Sequence, residues 1–100
     1  MISVRVQQEV VDYLRRLPPQ PRHALRLAIK ALSRERGDIK TLTDELEGFH
    51  RLRVGPHRVI FEYEVIRGKM GITCVFAGPR KWIYEVFQSR LREQLRSFRA

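Results

Sequence analysis

Two glycine-containing turns cut the second half of this chain into three β-rich runs, and no other feature restricts the fold as strongly. Phe49 to Val54, His57 to Ile66 and Ile72 to Ala77 are separated by Gly55-Pro56 and by Arg67-Gly68-Lys69-Met70-Gly71. Both separators are hairpin signals, so successive runs should pair antiparallel. Gly then Pro suits the two central positions of a type II′ turn, with Gly taking the positive φ. A two-residue turn fixes the register: Val54 faces His57, and Arg53 lies directly opposite Arg58.

Register and parity then sort the side chains. In the first run Phe49, Arg51 and Arg53 share one face, and His50, Leu52 and Val54 share the other. In the second, Arg58, Ile60, Glu62 and Glu64 oppose His57, Val59, Phe61, Tyr63 and Val65, and the latter set is the core face. Three arginines therefore gather on one sheet face. Like charges directly opposite each other cost up to about 1 kcal/mol, so such an arrangement points to an anion held between them. The structural alternative is neutralisation by Glu62, Glu64 or carboxylates from the helices.

The rest of the chain is helical with one exception. Ile2, Val4 and Val6 alternate with Ser3 and Arg5, as a first strand does. From Gln8 the period lengthens, with Val10, Tyr13, Leu14 and Leu17 at helical spacing up to Pro18-Pro19-Gln20-Pro21. Pro21 fits the first turn of a second helix, where a missing N–H costs nothing. That helix buries Leu25, Ala28, Ile29 and Leu32, and Gly37-Asp38 closes it. After Gly78-Pro79 the apolar residues Ile83, Val86, Phe87, Leu91, Leu95 and Phe98 make one stripe. The order is β-α-α-β-β-β-α, an α+β fold with a largely antiparallel sheet packed by an N-terminal helical hairpin and a C-terminal helix. The helices are expected on one face. The length is that of a single domain, residues 1–100.

Charge narrows the function. Twenty Lys and Arg against eleven Asp and Glu leave a net charge of +9, a field that attracts polyanions, of which nucleic acid is the commonest in a cell. The single cysteine, Cys74, excludes an internal disulfide framework and a multi-cysteine zinc site. It lies in an apolar run and reads as a buried, inert thiol. No cofactor or metal is expected. There is no secretory leader pattern and no run near the roughly 18 apolar residues that span a bilayer, so a cytoplasmic location is expected.

Several residues have both a functional and a plain reading. Arg80 and Tyr84, four apart at the start of the last helix, project from one side and extend the arginine cluster. Tyr84 also suits packing against the sheet edge. Trp82 fits a base-stacking platform or a packing contact. His50 and His57 have the chemistry of acid–base groups, but their parity puts both on the core face. Arg34-Glu35-Arg36 and Arg90, Arg92, Arg96 and Arg99 read as solvated helix faces.

The segments LEGFHRLRVGPHRVIFEYEV (Leu46 to Val65) and FAGPRKWIYEVF (Phe76 to Phe87) resemble the RelE/ParE superfamily of bacterial and archaeal toxins. The shared pattern is Leu-x-Gly, an aromatic, alternating basic residues, a Gly-containing turn, an Arg-Val-Ile-Tyr-like strand, and a terminal Arg with a Tyr a few residues on. The resemblance implies a RelE-like fold over nearly the whole chain. RelE-type members are ribosome-dependent endoribonucleases that cut messenger RNA in the ribosomal A site and are held inactive by an antitoxin. It implies catalytic roles for Arg58, Arg80 and Tyr84, and RNA contacts from Arg51, Arg53 and Lys81. The departures are Val86 where some members place the tyrosine, arginines where some have strand lysines, and Pro79-Arg80 where others read His-Arg.

The implied reaction is attack of a ribose 2′-OH on the adjacent phosphate, leaving a 2′,3′-cyclic phosphate and a 5′-OH. Arginines suit the developing charge, because their planar fork binds phosphate oxygens bidentately. They are poor bases, since a guanidinium stays protonated up to a pH of about 12 or more. Positive surroundings favour the ionised form of a phenol, so Tyr84 is the expected proton-transfer group. The resemblance also implies partners: an acidic antitoxin that folds on binding, messenger RNA and the ribosome, and operator DNA only through the antitoxin complex. Two other functions stay open. One is a ParE-type, non-nucleolytic inhibitor of DNA gyrase. The other is a decayed member that only binds antitoxin and operator DNA.

Overall fold

The structure, a computed structural model, describes residues 1–99, and side chains as far as residue 97. Strand β1 (Ser3–Val6) leads into helices α1 (Gln8–Arg16) and α2 (Pro19–Ala31). Strands β2 (Asp38–Thr41), β3 (His50–Val54), β4 (His57–Ile66) and β5 (Lys69–Pro79) follow, and helix α3 (Ile83–Arg99) ends the chain. The five strands form one mixed sheet in the order β1-β5-β4-β3-β2, with β1 parallel to β5 and every other pair antiparallel. The α+β class, the helical hairpin, the β3–β4–β5 meander and the C-terminal helix match the sequence expectation.

Two features differ from it. Asp38–Thr41 is an additional strand, paired with β3, in a segment to which the sequence pattern assigns no element. Only Ile39 carries an apolar side chain in that segment, and four residues give alternation little room to register. The helices, moreover, cover both faces of the sheet. Val10 and Leu14 of α1 and Leu25 and Ile29 of α2 pack with Leu52, Val59 and Phe61 on one side. Ile83 and Phe87 of α3 pack with Ile60 and Leu46 on the other. Parity assigned Ile60 correctly to the face opposite Phe61, and α3 is what covers it.

A bulge in β5 makes the second core possible. Ile60 pairs with Phe76 and Phe61 pairs with Cys74, so Val75 has no partner across the ribbon. The extra residue leaves Ile72, Cys74 and Ala77 in the first core and turns both Val75 and Phe76 toward α3. Of the expected α3 stripe, Ile83 and Phe87 are buried, whereas Val86 and Leu95 are exposed. Phe98 and Arg99 lie outside the described side chains. Arg90 and Arg92 stay solvent-exposed, as read from the sequence, while forming surface ion pairs with Glu9 and Glu45.

Local chemistry explains the joints. The Arg22 guanidinium donates to the Leu17 carbonyl at 2.9 and 3.2 Å, clamping the proline-rich turn between α1 and α2. The β4–β5 hairpin is tighter than its five-residue signal suggested. Ile66 pairs with Lys69, and Arg67 and Gly68 both take positive φ, as a type I′ turn requires. Gly37 has φ +131°, and a Cβ there would sit 2.7 Å from Leu52 Cδ1 in the core.

Beneath α3 a cavity of about 220 Å³ is lined by Glu62, Glu9, Arg90 and the rings of Phe49, Phe76 and Phe87. Burial, reinforced by neighbouring Glu64, pushes the Glu62 carboxyl up to about 6. A hydrogen bond from Glu62 in turn holds Glu64 low. The folded state thus favours neutral Glu62, and that contribution is present below the ordinary value of 4.5 and lost as pH rises through about 6. Glu62→Gln should therefore unfold at higher urea than the wild type at pH 8, with the gain vanishing below pH 4.5; a constant difference across that range would contradict the assignment. Gly37→Ala should lose more than about 1 kcal/mol in the same urea titration, because alanine is strained at that φ.

Candidate anion site

The Gly55-Pro56 turn builds the site. Val54 pairs with His57 and Arg53 with Arg58, the register expected from a two-residue connection, and Gly55 takes φ +58°. The turn's carbonyls then act as ligands for what surrounds them. Arg58 Nη1 donates to Gly55 O at 2.8 Å and to His57 O at 2.9 Å. The Arg80 N–H donates to Pro56 O at 2.8 Å, which fastens the end of β5 to the turn.

Arg58 is 6% exposed and makes no ion pair among the described residues. A buried cation without a counter-charge is expensive, and carbonyl dipoles offset only part of the cost. The guanidinium borders a cleft of about 490 Å³ that is also lined by Arg51, Arg80, Tyr84, Lys40 and Thr41. Leu42 and Leu46 complete an apolar part of its wall. Arg51 is held in place from β2, donating Nη1 to the Asp38 carboxylate at 3.1 Å and to the Asp38 carbonyl at 3.0 Å. Its side chain is 15% exposed and that of Asp38 is 55%. Among the described residues, the carboxylate engaged with the expected arginine cluster thus comes from the unanticipated strand, not from Glu62, Glu64 or a helix.

The sequence-predicted residues divide. Arg51, Arg58, Arg80 and Tyr84 line the cleft together. Tyr84 does so while packing against the Ile60–Ile83–Phe87 cluster, so its two readings hold at once. Arg53 is Arg58's cross-strand neighbour but is exposed and outside the lining. Lys81 is also outside it, exposed, with its ammonium 5.9 Å from the centroid of the half-exposed Trp82 ring. Lys40 was missed, because its strand was missed.

Both histidines sit on the α1–α2 face, away from the cleft. His57 Nδ1 is 2.7 Å from Tyr13 Oη, and His50 Nδ1 is 3.2 Å from Thr41 Oγ1 while its ring stacks on Phe61. Burial pushes both imidazoles below their usual range, and the Arg58 charge adds to this at His57. Their engagements are structural. Burial raises the Cys74 thiol to about 12, in keeping with an inert core residue.

The sequence matches no protein-family model and no curated protein. The fold does find relatives. A chain of the toxin–antitoxin complex RelBE2 from Mycobacterium tuberculosis superposes with a TM-score of 0.66 at 26% identity, covering 79% of this chain and 98% of that one. A chain of the archaeal RelE–RelB complex from Pyrococcus horikoshii gives 0.61 at 26%, covering 80% and 96%. These likenesses support a toxin of the RelE/ParE superfamily. A YoeB/ParE toxin from Agrobacterium tumefaciens shares the RelE-like fold at a TM-score of 0.64, covering 79% and 99%, with 11% identity. Among the described residues, no helix is long and apolar enough to cross a membrane.

If the cleft is built for an anion, inorganic phosphate should raise the melting temperature at fixed ionic strength, since binding to the folded state alone stabilises it. Arg58→Gln should abolish most of that rise and Arg53→Gln little of it; equal responses in all three proteins would rule the cleft out as the binding site.

Proposed function

We propose that this toxin is a RelE-type endoribonuclease that cleaves messenger RNA, in the ribosomal A site, through attack of a ribose 2′-OH on the adjacent phosphate. One observation carries the reading: Arg58 is buried without a carboxylate and borders the same cleft as Arg51, Arg80 and Tyr84. That is an arrangement suited to a phosphodiester whose charge grows in the transition state. Arg58 and Arg80 take the scissile phosphate. Arg58 is preorganised by its carbonyl ligands, and Arg80 is placed by its backbone bond to Pro56. Arg51, fixed by Asp38, grips the phosphate backbone within the cleft. Arg53 and Lys81, exposed outside it, serve flanking phosphates. Tyr84 accepts the 2′-OH proton.

The partner is proposed on the same footing. The Mycobacterium and Pyrococcus neighbours are toxin–antitoxin complexes. With a net charge of +9, this chain suits an acidic antitoxin that folds on binding and reaches operator DNA only within that complex. The site of action is cytoplasmic.

Brief induction in cells followed by mapping of messenger 5′ ends and of DNA breaks tests the reading. Cuts inside translated codons are expected, whereas gyrase-dependent DNA breaks without messenger cuts would overturn it in favour of a ParE-type activity. Tyr84→Phe should slow cleavage by roughly 10²–10⁴-fold. Arg58→Gln should cost about 10²–10³-fold.

A further inference from the structure

In-line displacement at phosphorus places the attacking and leaving oxygens on opposite sides of the phosphate. The two proton transfers therefore need groups on opposite walls of the cleft. Tyr84 stands on one wall, at the start of α3 beside the end of β5. The arginines cannot serve the other, because a guanidinium holds its proton too tightly to transfer it. Of the other lining side chains that carry a proton, the hydroxyls of Thr41 and Thr43 are far weaker acids than an ammonium, which leaves Lys40.

Lys40 occupies the far wall. It lies on β2, directly across from Arg51, and the same row continues through Ile60 of β4 to Phe76 of β5. With strands about 4.8 Å apart, β2 and β5 lie about 14 Å from each other, a span that a phosphodiester and two long side chains fill. Asp38 holds Arg51 in place, so the neighbouring charge that keeps Lys40 company is itself neutralised. Lys40 makes no ion pair among the described residues and is exposed at the mouth of the cleft.

We propose that Lys40 is the general acid of this cleft, donating an Nζ proton to the 5′-oxygen as it leaves; this rests on the ribonuclease reading above. The step balances without a co-reactant. The O2′–P bond forms as the P–O5′ bond breaks, the 2′-OH proton passes to Tyr84, and the lysine proton appears on the 5′-OH.

The test uses ribosomes programmed with a short messenger, and the same messenger carrying sulfur in place of the bridging 5′-oxygen at the cleaved bond. A thiolate leaves without a proton, so the second substrate has no need of an acid. Lys40→Met is expected to slow cleavage of the normal messenger by about 100-fold or more, and to cleave the sulfur messenger within a few-fold of the wild-type rate. Lys40→Arg, which keeps the charge but not the transferable proton, should be as slow as Lys40→Met on the normal messenger. Tyr84→Phe should stay slow on both substrates. The proposal is overturned if Lys40→Met cuts the normal messenger at the wild-type rate, if Lys40→Arg restores activity, or if Lys40→Met is equally slow on both. A wild-type protein that cuts neither messenger would instead overturn the ribonuclease reading and this step with it. A melting curve for Lys40→Met, at an exposed position, verifies that the fold is intact.

Discussion

Two residues, Gly55 and Pro56, hold the site together. Because the connection between β3 and β4 has only these two residues, the register has no freedom, and Arg58 must arrive opposite Arg53. The carbonyls of Gly55 and Pro56 would be open to water in an ordinary hairpin. Here those of Gly55 and His57 accept from the Arg58 guanidinium, and that of Pro56 accepts from the Arg80 backbone. One turn thus sets the pairing, solvates a buried cation and anchors the strand end that leads to Tyr84. Lengthening it would disturb all three.

The bulge at Val75 does comparable work for the core. A regular β5 would send its apolar residues alternately to the two faces along its whole length. The inserted residue gives the α3 face two consecutive side chains, Val75 and Phe76, without removing Cys74 or Ala77 from the other core. With that added apolar surface, α3 docks with its first residue, Ile83, close against Gly78 of the sheet. The cleft forms between that helix start and β2. A small chain with a thin core therefore spends both faces of its sheet on packing and keeps one corner polar.

Legibility in the sequence follows the same physics. The β3–β4 register, the shared face of Arg51 and Arg58, and the position of both histidines on the opposite face were readable, because a two-residue turn and strict alternation leave no alternatives. Depth was not readable. Parity puts Arg53 with Arg51 and Arg58, yet Arg53 is exposed and Arg58 is buried, a difference that alternation along a strand does not encode. The stripe on α3 announced that the helix packs, not which face it packs on. Strand β2 escaped because Asp38–Thr41 offers a single apolar residue, Ile39, and is recognisable mainly by its partner. With it went Asp38, which fixes Arg51, and Lys40, which lines the cleft.

The central claim is that a phosphodiester sits in this cleft against Arg58, with Arg51 and Arg80 beside it. Arginine Nε–Hε resonances followed by NMR during titration with an uncleavable 2′-deoxy dinucleotide test it most directly. Saturable shifts confined to Arg51, Arg58 and Arg80 are expected, with Arg90 and Arg92 on α3 unmoved. Shifts spread evenly over the α3 arginines, or a silent Arg58, would contradict the account.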